Sequence, residues 1–221
     1  AVLDKGALYS ANVRFGFFCF CFSNVQALLT DRQGRFWAGC QEGLFLQKKA
    51  PDKGTSAQQA TGFSRILSQN VLSLWESPSG EIWAGTFGNG AFVLDAQGHV
   101  LHHFSEQHGL TNGSVLSIGG DARKVWLATL GGVTALSADG QGKLQVQPEL
   151  GTSYVYKVFT DSRGRTWFGT DGKGLAMLEN GSLRFFTTAN GTALKTIYSI
   201  AEDQRGNIWF CTDREGVFCF D

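Results

Sequence analysis

Residues 160–178 read TDSRGRTWFGTDGKGLAML, and the same phrase returns four more times along the 221-residue chain. The other copies are TDRQGRFWAGCQEGLF (30–45), ESPSGEIWAGTFGNGAF (76–92), GDARKVWLATLGGVTAL (120–136) and EDQRGNIWFCTDREGVFCF (202–220). Their tryptophans, Trp37, Trp83, Trp126, Trp167 and Trp209, are separated by 46, 43, 41 and 42 residues. A period near 43 is too long for a leucine-rich repeat and matches one four-stranded propeller blade. The sequence therefore predicts an all-β propeller of four-stranded antiparallel blades.

Unit four gives the pattern most cleanly. Tyr154–Phe159 is a β-branched and aromatic run with strand propensity. Asp161-Ser162-Arg163-Gly164 follows as a hairpin turn, because Asp bonds the backbone two residues on and Gly accepts positive φ. Arg165–Thr170 is a second strand, Leu175–Leu178 a third and Leu183–Phe186 a fourth, with turns at Asp171–Gly174 and Glu179–Ser182. The first turn recurs as Asp31…Gly34, Ser77…Gly80 and Asp203…Gly206, whereas unit three is one residue shorter and lacks the glycine. Two residues after each Trp stands Gly39, Gly85, Ala128, Gly169 or Cys211. Only small side chains occur there, as expected where neighbouring blades approach closely. The tryptophans are read as inter-blade packing residues. The domain reading is one propeller over 1–221, with units at 24–68, 69–112, 113–152, 153–194 and 195–221, the last completed by 13–22.

Composition excludes several classes. Nineteen basic residues balance nineteen acidic ones, which leaves no electrostatic footprint for nucleic acid or anionic lipid. Twenty-nine glycines against three prolines suit short strands and tight turns. Among the five cysteines, Cys40 and Cys211 occupy small-residue strand positions. Cys19, Cys21 and Cys219 lie in aromatic runs, either as free thiols or with Cys219 bridged to Cys19 or Cys21. No zinc spacing occurs, so neither a metal nor a cofactor is expected. No apolar run reaches membrane-spanning length. The only methionine is Met177, so the chain is expected to be a segment of a longer polypeptide.

The pattern resembles the two-component regulator propeller repeat, N-x-V-x-x-I-x-x-D-x-x-G-x-x-W-x-G-T-x-x-G-L. The run from Asn70-Val71-Leu72-Ser73-Leu74 to Gly90 and the run from Ala193 through Ile197, Ile200 and Asp203 to Gly216 carry it. His108-Gly109-Leu110-Thr111-Asn112-Gly113-Ser114-Val115 is similar to the family's lead-in to a blade. The resemblance implies a periplasmic or extracellular sensor domain fused to a histidine-kinase-type output. Unit three and the first residues of the chain depart from the pattern.

Closure of the ring is expected from the chain ends. The last unit stops at its third strand, Gly216–Phe220, and a strand-like run at Val13–Phe20 is available to complete it. Lys5–Tyr9, in contrast, resembles the third strand of a preceding blade, which leaves an excerpt of a larger ring open. Five blades closed by the N-terminal strand is the expectation carried forward.

Catalytic chemistry is hard to assemble. His99, His102 and His103 are assigned to the outer strand of unit two, where one face meets solvent, and His108 follows them. GxSxG, HExxH, P-loop and dinucleotide fingerprints are missing. The sialidase Asp-box comparison fails, because Arg32, Pro78, Ser162 and Gln204 stand where that motif needs Asp. Asp31, Asp161 and Asp203 are read as turn formers. The expected working surface is the rim of loops at the channel mouth, formed by second-to-third-strand turns and by lead-ins to first strands. Its candidate ligand-binding residues are Glu42, Phe87, Asn89, Asn112, Tyr154, Asp171, Lys173 and Arg214. Their mixture suits a small polar ligand such as a glycan fragment, or a protein partner; a homodimer is also compatible. The expected function is non-enzymatic sensing, with a lectin-like or scaffold propeller as the alternative and a propeller hydrolase or lyase behind both.

Overall fold

The computed structural model describes residues 24–47, 63–137 and 143–221. Blade one contains β1 (Val25–Thr30), β2 (Phe36–Cys40), β3 (Gly43–Gln47) and β4 (Phe63–Leu67). Blade two contains β5 (Val71–Glu76), β6 (Ile82–Thr86), β7 (Ala91–Leu94) and β8 (Val100–Phe104). Blade three contains β9 (Val115–Gly120), β10 (Lys124–Thr129), β11 (Gly132–Ser137) and the short β12 (Gln145–Val146). Blade four contains β13 (Val155–Thr160), β14 (Thr166–Thr170), β15 (Leu175–Glu179) and β16 (Ser182–Phe186). A small ribbon, β17 (Thr188–Ala189) and β18 (Thr192–Ala193), leads to blade five, with β19 (Ile197–Glu202), β20 (Ile208–Thr212) and β21 (Val217–Phe220). Every full blade is antiparallel in sequence order, as the repeat requires. The first strands β1, β5, β9, β13 and β19 pack successively against one another, which places them innermost. The closing run 13–20 and the cysteines Cys19 and Cys21 lie outside the described residues. His99 is not in the outer strand, which begins at Val100; its ring bonds Asp95 across the β7–β8 turn instead.

A bulge recurs at one place in all five first strands. Val71 pairs with Thr86 and Ser73 with Gly85, leaving Leu72 extra; Gln26, Leu116, Tyr156 and Tyr198 are extra in the same way. The added residue reverses the alternation that follows it. Apolar residues three apart, such as Val155 and Val158, thereby reach the same core against the preceding blade. A V-x-x-I spacing, anomalous for a flat strand, is the sequence form of this bulge.

The repeat aspartate holds the repeat tryptophan. In blade four, Asp161 Oδ1 accepts the N–H groups of Arg163 and Arg165 at 3.0 and 2.8 Å, closing the turn. Its Oδ2 accepts Arg165 Nε at 2.6 Å and the Trp167 indole N–H at 2.8 Å. Burial pushes this carboxyl's pKa up, but the Trp167 and Arg165 donors outweigh burial and hold it below the ordinary carboxylate range. The aspartate is thus both turn former and anchor. Blades one and five repeat the arrangement with Asp31–Trp37 at 2.8 Å and Asp203–Trp209 at 2.9 Å.

Blades two and three vary it. Ser77 replaces the aspartate and Glu81 the arginine, so Ser77 Oγ closes the turn through the Glu81 N–H at 3.0 Å but leaves the buried Trp83 Nε1 without a partner. In blade three the turn is one residue shorter, and Lys124 Nζ lies 4.9 Å from the Trp126 ring centre.

The indoles of blades one to four, anchored or not, pack against the next blade. Trp37 shares a core with Val71 and Ile82, Trp83 with Val115 and Val125, Trp126 with Val155 and Phe168, and Trp167 with Ile197 and Ile208. The small residue after Trp gives the next first strand its room: a Cβ on Gly169 would stand 2.6 Å from the Ile197 carbonyl oxygen. Trp209 departs from the expected equivalence, because no described blade follows it and its indole is exposed.

Trp167→Ala opens a cavity and is expected to cost about 3–5 kcal/mol. Trp209→Ala should cost less than half of that, since much less apolar area leaves water. Urea titration of both variants checks the difference. The double variant Ser77→Asp/Glu81→Arg is expected to supply the missing indole acceptor and to gain about 1 kcal/mol. Ser77→Asp alone should gain nothing, because Glu81 would then oppose a second carboxylate.

Candidate functional site

The loops at one end of the blades form a stitched rim. In blades two to five the N–H that opens the second-to-third-strand turn donates to the residue preceding that blade's first strand: Phe87 to the Asn70 carbonyl at 2.9 Å, Leu130 to Ser114 at 3.3 Å, Asp171 to Tyr154 at 2.8 Å and Asp213 to Thr196 at 3.1 Å. The turns also reach the next blade. Gly90 donates to the Gly113 carbonyl at 2.7 Å, and Gly172 donates to that of Lys195 at 2.9 Å. Thr196 Oγ1 donates to Asp171 Oδ1 at 2.8 Å. Turns and lead-ins therefore meet at one rim, as their sequence positions imply.

The candidate residues separate into two groups. Glu42 lies in the β2–β3 turn of blade one. Phe87 is exposed, the Asn89 carbonyl meets His103 Nε2 at 2.7 Å, and Asn112 Oδ1 accepts the Ser114 N–H at 2.8 Å. Asn112 is thus already used in shaping a turn. Tyr154, Asp171, Lys173 and Arg214 belong to blades four and five, where Lys173 Nζ donates to the Glu149 carbonyl at 2.9 Å and Arg214 pairs with Asp213 at 3.2 Å.

Blades four and five also bring up two residues outside the candidate set, Tyr156 and Tyr198. Both are the extra residue of a first-strand bulge, and their ring centres stand 4.9 Å apart at 53°. Tyr198 hydroxyl reaches Asp213 Oδ1 at 3.5 Å, while Tyr154 and Tyr198 are each about half exposed. Burial, followed by the charge of Asp171 and by Tyr198, Tyr154 and Asp213, pushes the Tyr156 phenol pKa up, so it stays a neutral donor. The sequence held a signal for the pair: tyrosine recurs one repeat apart, at 156 and 198, where the other units carry Gln26, Leu72 and Leu116. Strand alternation alone could not aim these rings, because the bulge does so.

Three aromatic rings and two carboxylates on one stretch of rim can stack on and hydrogen-bond a polar ligand. Among the described residues, no group of His, Cys, Asp and Glu is arranged to hold a metal ion, and no helix is long and apolar enough to cross a membrane.

Successive four-stranded blades around a common set of inner strands define a β-propeller. The family model for the two-component regulator propeller matches the chain at residues 149–172 and 193–214, the segments that hold the tyrosine cluster. Similar solved folds include the extracellular domain of a hybrid two-component system from B. thetaiotaomicron, with TM-score 0.62, 17% identity, and coverage of 90% of this chain and 34% of that one. The extracellular domain of a one-component system from the same organism gives TM-score 0.70 and 21% identity over 89% of this chain and 27% of that one. The chain thus spans about a third or less of those domains. Virginiamycin B lyase from Staphylococcus aureus shares the fold at TM-score 0.64 and 15% identity, over 90% of this chain and 70% of that one. No curated protein sequence matches the chain.

One inner-strand residue is out of character. Lys157 follows the blade-four bulge at the position where blades two and three place Ser73 and Ser117, whose hydroxyls contact the Val115 and Val158 carbonyls of the next blade. Lys157 has neither a hydrogen bond nor an ion pair among the described residues, and burial pushes its pKa down. A desolvated cation without a partner opposes folding. Lys157→Ser is therefore expected to raise stability by about 0.5–2 kcal/mol, read from the urea midpoint at pH 7.

Proposed function

We propose that this chain is a non-enzymatic, extracytoplasmic ligand-binding propeller of a two-component signalling protein, and that its ligand seats on the rim of blades four and five. The tyrosine cluster is the observation that carries the reading. Tyr154, Tyr156 and Tyr198 stand beside Asp171 and Asp213, where the inner strands otherwise follow one packing scheme. Half-exposed phenols with fixed acceptors beside them suit a small polar ligand such as a glycan fragment. The propeller repeat at 149–172 and 193–214 and the similarity to extracellular domains of bacterial signalling systems support the placement outside the cytoplasm and a fused kinase-type output. Binding by stacking and hydrogen bonds requires no covalent step.

Calorimetric titration of the chain with panels of soluble oligosaccharides and short peptides tests this. Tyr198→Ala is expected to weaken binding of a responding ligand by about tenfold, in line with roughly 1.5 kcal/mol for one aromatic contact. Phe87→Ala, on the opposite group of loops, should leave it unchanged. The reverse ranking would contradict the site, and turnover of the ligand would contradict the non-enzymatic role.

A further inference from the structure

Four asparagines stand directly before a glycine: Asn89-Gly90, Asn112-Gly113, Asn180-Gly181 and Asn190-Gly191. An Asn–Gly step is chemically labile because glycine, with no Cβ, leaves its nitrogen open to the side-chain amide carbon one residue back. The fold treats the four steps unequally. Gly90 N–H is committed to the Gly113 carbonyl at 2.7 Å, and Gly113 N–H to Glu106 Oε1 at 2.7 Å. Both glycines are buried, and Asn112 Oδ1 is itself occupied by the Ser114 N–H at 2.8 Å.

Asn180-Gly181 and Asn190-Gly191 are open. All four residues are exposed, neither glycine N–H has a hydrogen bond among the described residues, and a Cβ placed on Gly181 or Gly191 would meet nothing within 4 Å. Each pair turns a hairpin with φ of 50° at Asn and 80° at Gly, the positive values of a type I′ turn. Closing a ring between the two residues requires a rotation about the Asn Cα–C bond that the closed turn resists, so the hairpin must first open locally. Here the two steps differ. Asn180-Gly181 joins β15 to β16, whose five residue pairs run from Leu175–Phe186 to Glu179–Ser182 within blade four. Asn190-Gly191 joins β17 to β18, which pair only through Thr188–Ala193 and Ala189–Thr192 and share no sheet with a blade.

We propose that Asn190-Gly191 is a site of spontaneous covalent modification, that Asn180-Gly181 is a slower one, and that the fold protects Asn89 and Asn112. The Gly191 nitrogen attacks Asn190 Cγ: the N–Cγ bond forms, the glycine nitrogen gives its proton to solvent base, and the side-chain nitrogen leaves as ammonia. Water then opens the succinimide at Cγ to give aspartate, or at the main-chain carbonyl to give isoaspartate, with no change of oxidation state. Either product adds a carboxylate, and isoaspartate also routes the main chain through Cβ and ends the I′ geometry. The ribbon is tied to the rim, because the Leu194 N–H donates to the Thr187 carbonyl at 2.7 Å and the Lys195 carbonyl accepts Gly172 and Gly174 at 2.9 and 3.0 Å. Modification of Asn190 therefore falls on the lead-in to the first strand of blade five.

Incubation of the whole chain at mildly alkaline pH tests the proposal, followed by proteolysis and mass spectrometry with fragmentation that separates aspartate from isoaspartate. In the folded chain Asn190 is expected to be lost first and Asn180 next. Asn190 should lead Asn89 and Asn112 by about tenfold or more in rate, since the opening free energy enters the rate exponentially. In urea the four steps should react at similar rates, because each then has a glycine after it and no fold around it. Retention of Asn190 in the folded chain, under conditions of pH and time that convert it in urea, overturns the proposal. So does loss of Asn89 or Asn112 as fast as that of Asn190. Loss of Asn180 ahead of Asn190 would contradict the role given to opening of the β17–β18 ribbon.

Discussion

A buried indole held between two sheets by one carboxylate is the constraint on which this fold depends. A tryptophan at a blade interface contributes a large apolar area, but its N–H must find an acceptor or carry the cost of burial. Asp31 and Asp161 supply that acceptor from the hairpin turn six residues earlier, with the oxygen that the turn itself leaves free. One side chain therefore fixes the turn, the rotamer of the indole and the plane against which the next blade packs. Desolvation opposes the charged carboxylate, yet the indole, guanidinium and backbone donors win. Where the carboxylate is replaced, ring contacts carry the tryptophan: Trp83 stacks on Phe104 at 5.9 Å and meets Trp75 edge-on at 6.5 Å.

Function becomes possible where the repeat stops imposing identity. The bulge sends positions 155 and 158 into the core and leaves position 156 free of a strand partner. Because packing makes no shared demand on the bulged residue, it varies as Gln26, Leu72, Leu116, Tyr156 and Tyr198. Two consecutive tyrosines there build an aromatic surface without altering the scaffold. Lys157 belongs to the same region, at the position where Ser73 and Ser117 instead reach carbonyls of the next blade.

The blade pattern was legible in the sequence because period, turn chemistry and small-residue positions all agreed on it. Strand order, the turn role of Asp161 and the packing role of Trp37, Trp83, Trp126 and Trp167 follow directly from residue types at fixed spacing. The location of the rim was legible too, since turns and lead-ins must share one end of an antiparallel blade. Its focus was not. Tyr156 and Tyr198 sit inside strands, and only a bulge, which single-strand alternation conceals, turns them toward the rim. Asn112 Oδ1 accepts the Ser114 N–H, a local turn bond that residue type alone did not reveal. The exposure of Trp209 was equally hidden: its phrase is identical in kind to the others, and only the absence of a following described blade separates it from them.

A double-mutant cycle between Asp161 and Trp167 tests the central interaction most directly. Asp161→Asn, Trp167→Phe and the double variant, compared by equilibrium unfolding, isolate the coupling between the turn carboxylate and the indole N–H. The account predicts a coupling of about 1–3 kcal/mol in blade four, as expected for a buried hydrogen bond to a charged group, and none resolvable for the corresponding Ser77–Trp83 cycle. Strictly additive losses at Asp161 and Trp167 would contradict the claim that the carboxylate anchors the indole.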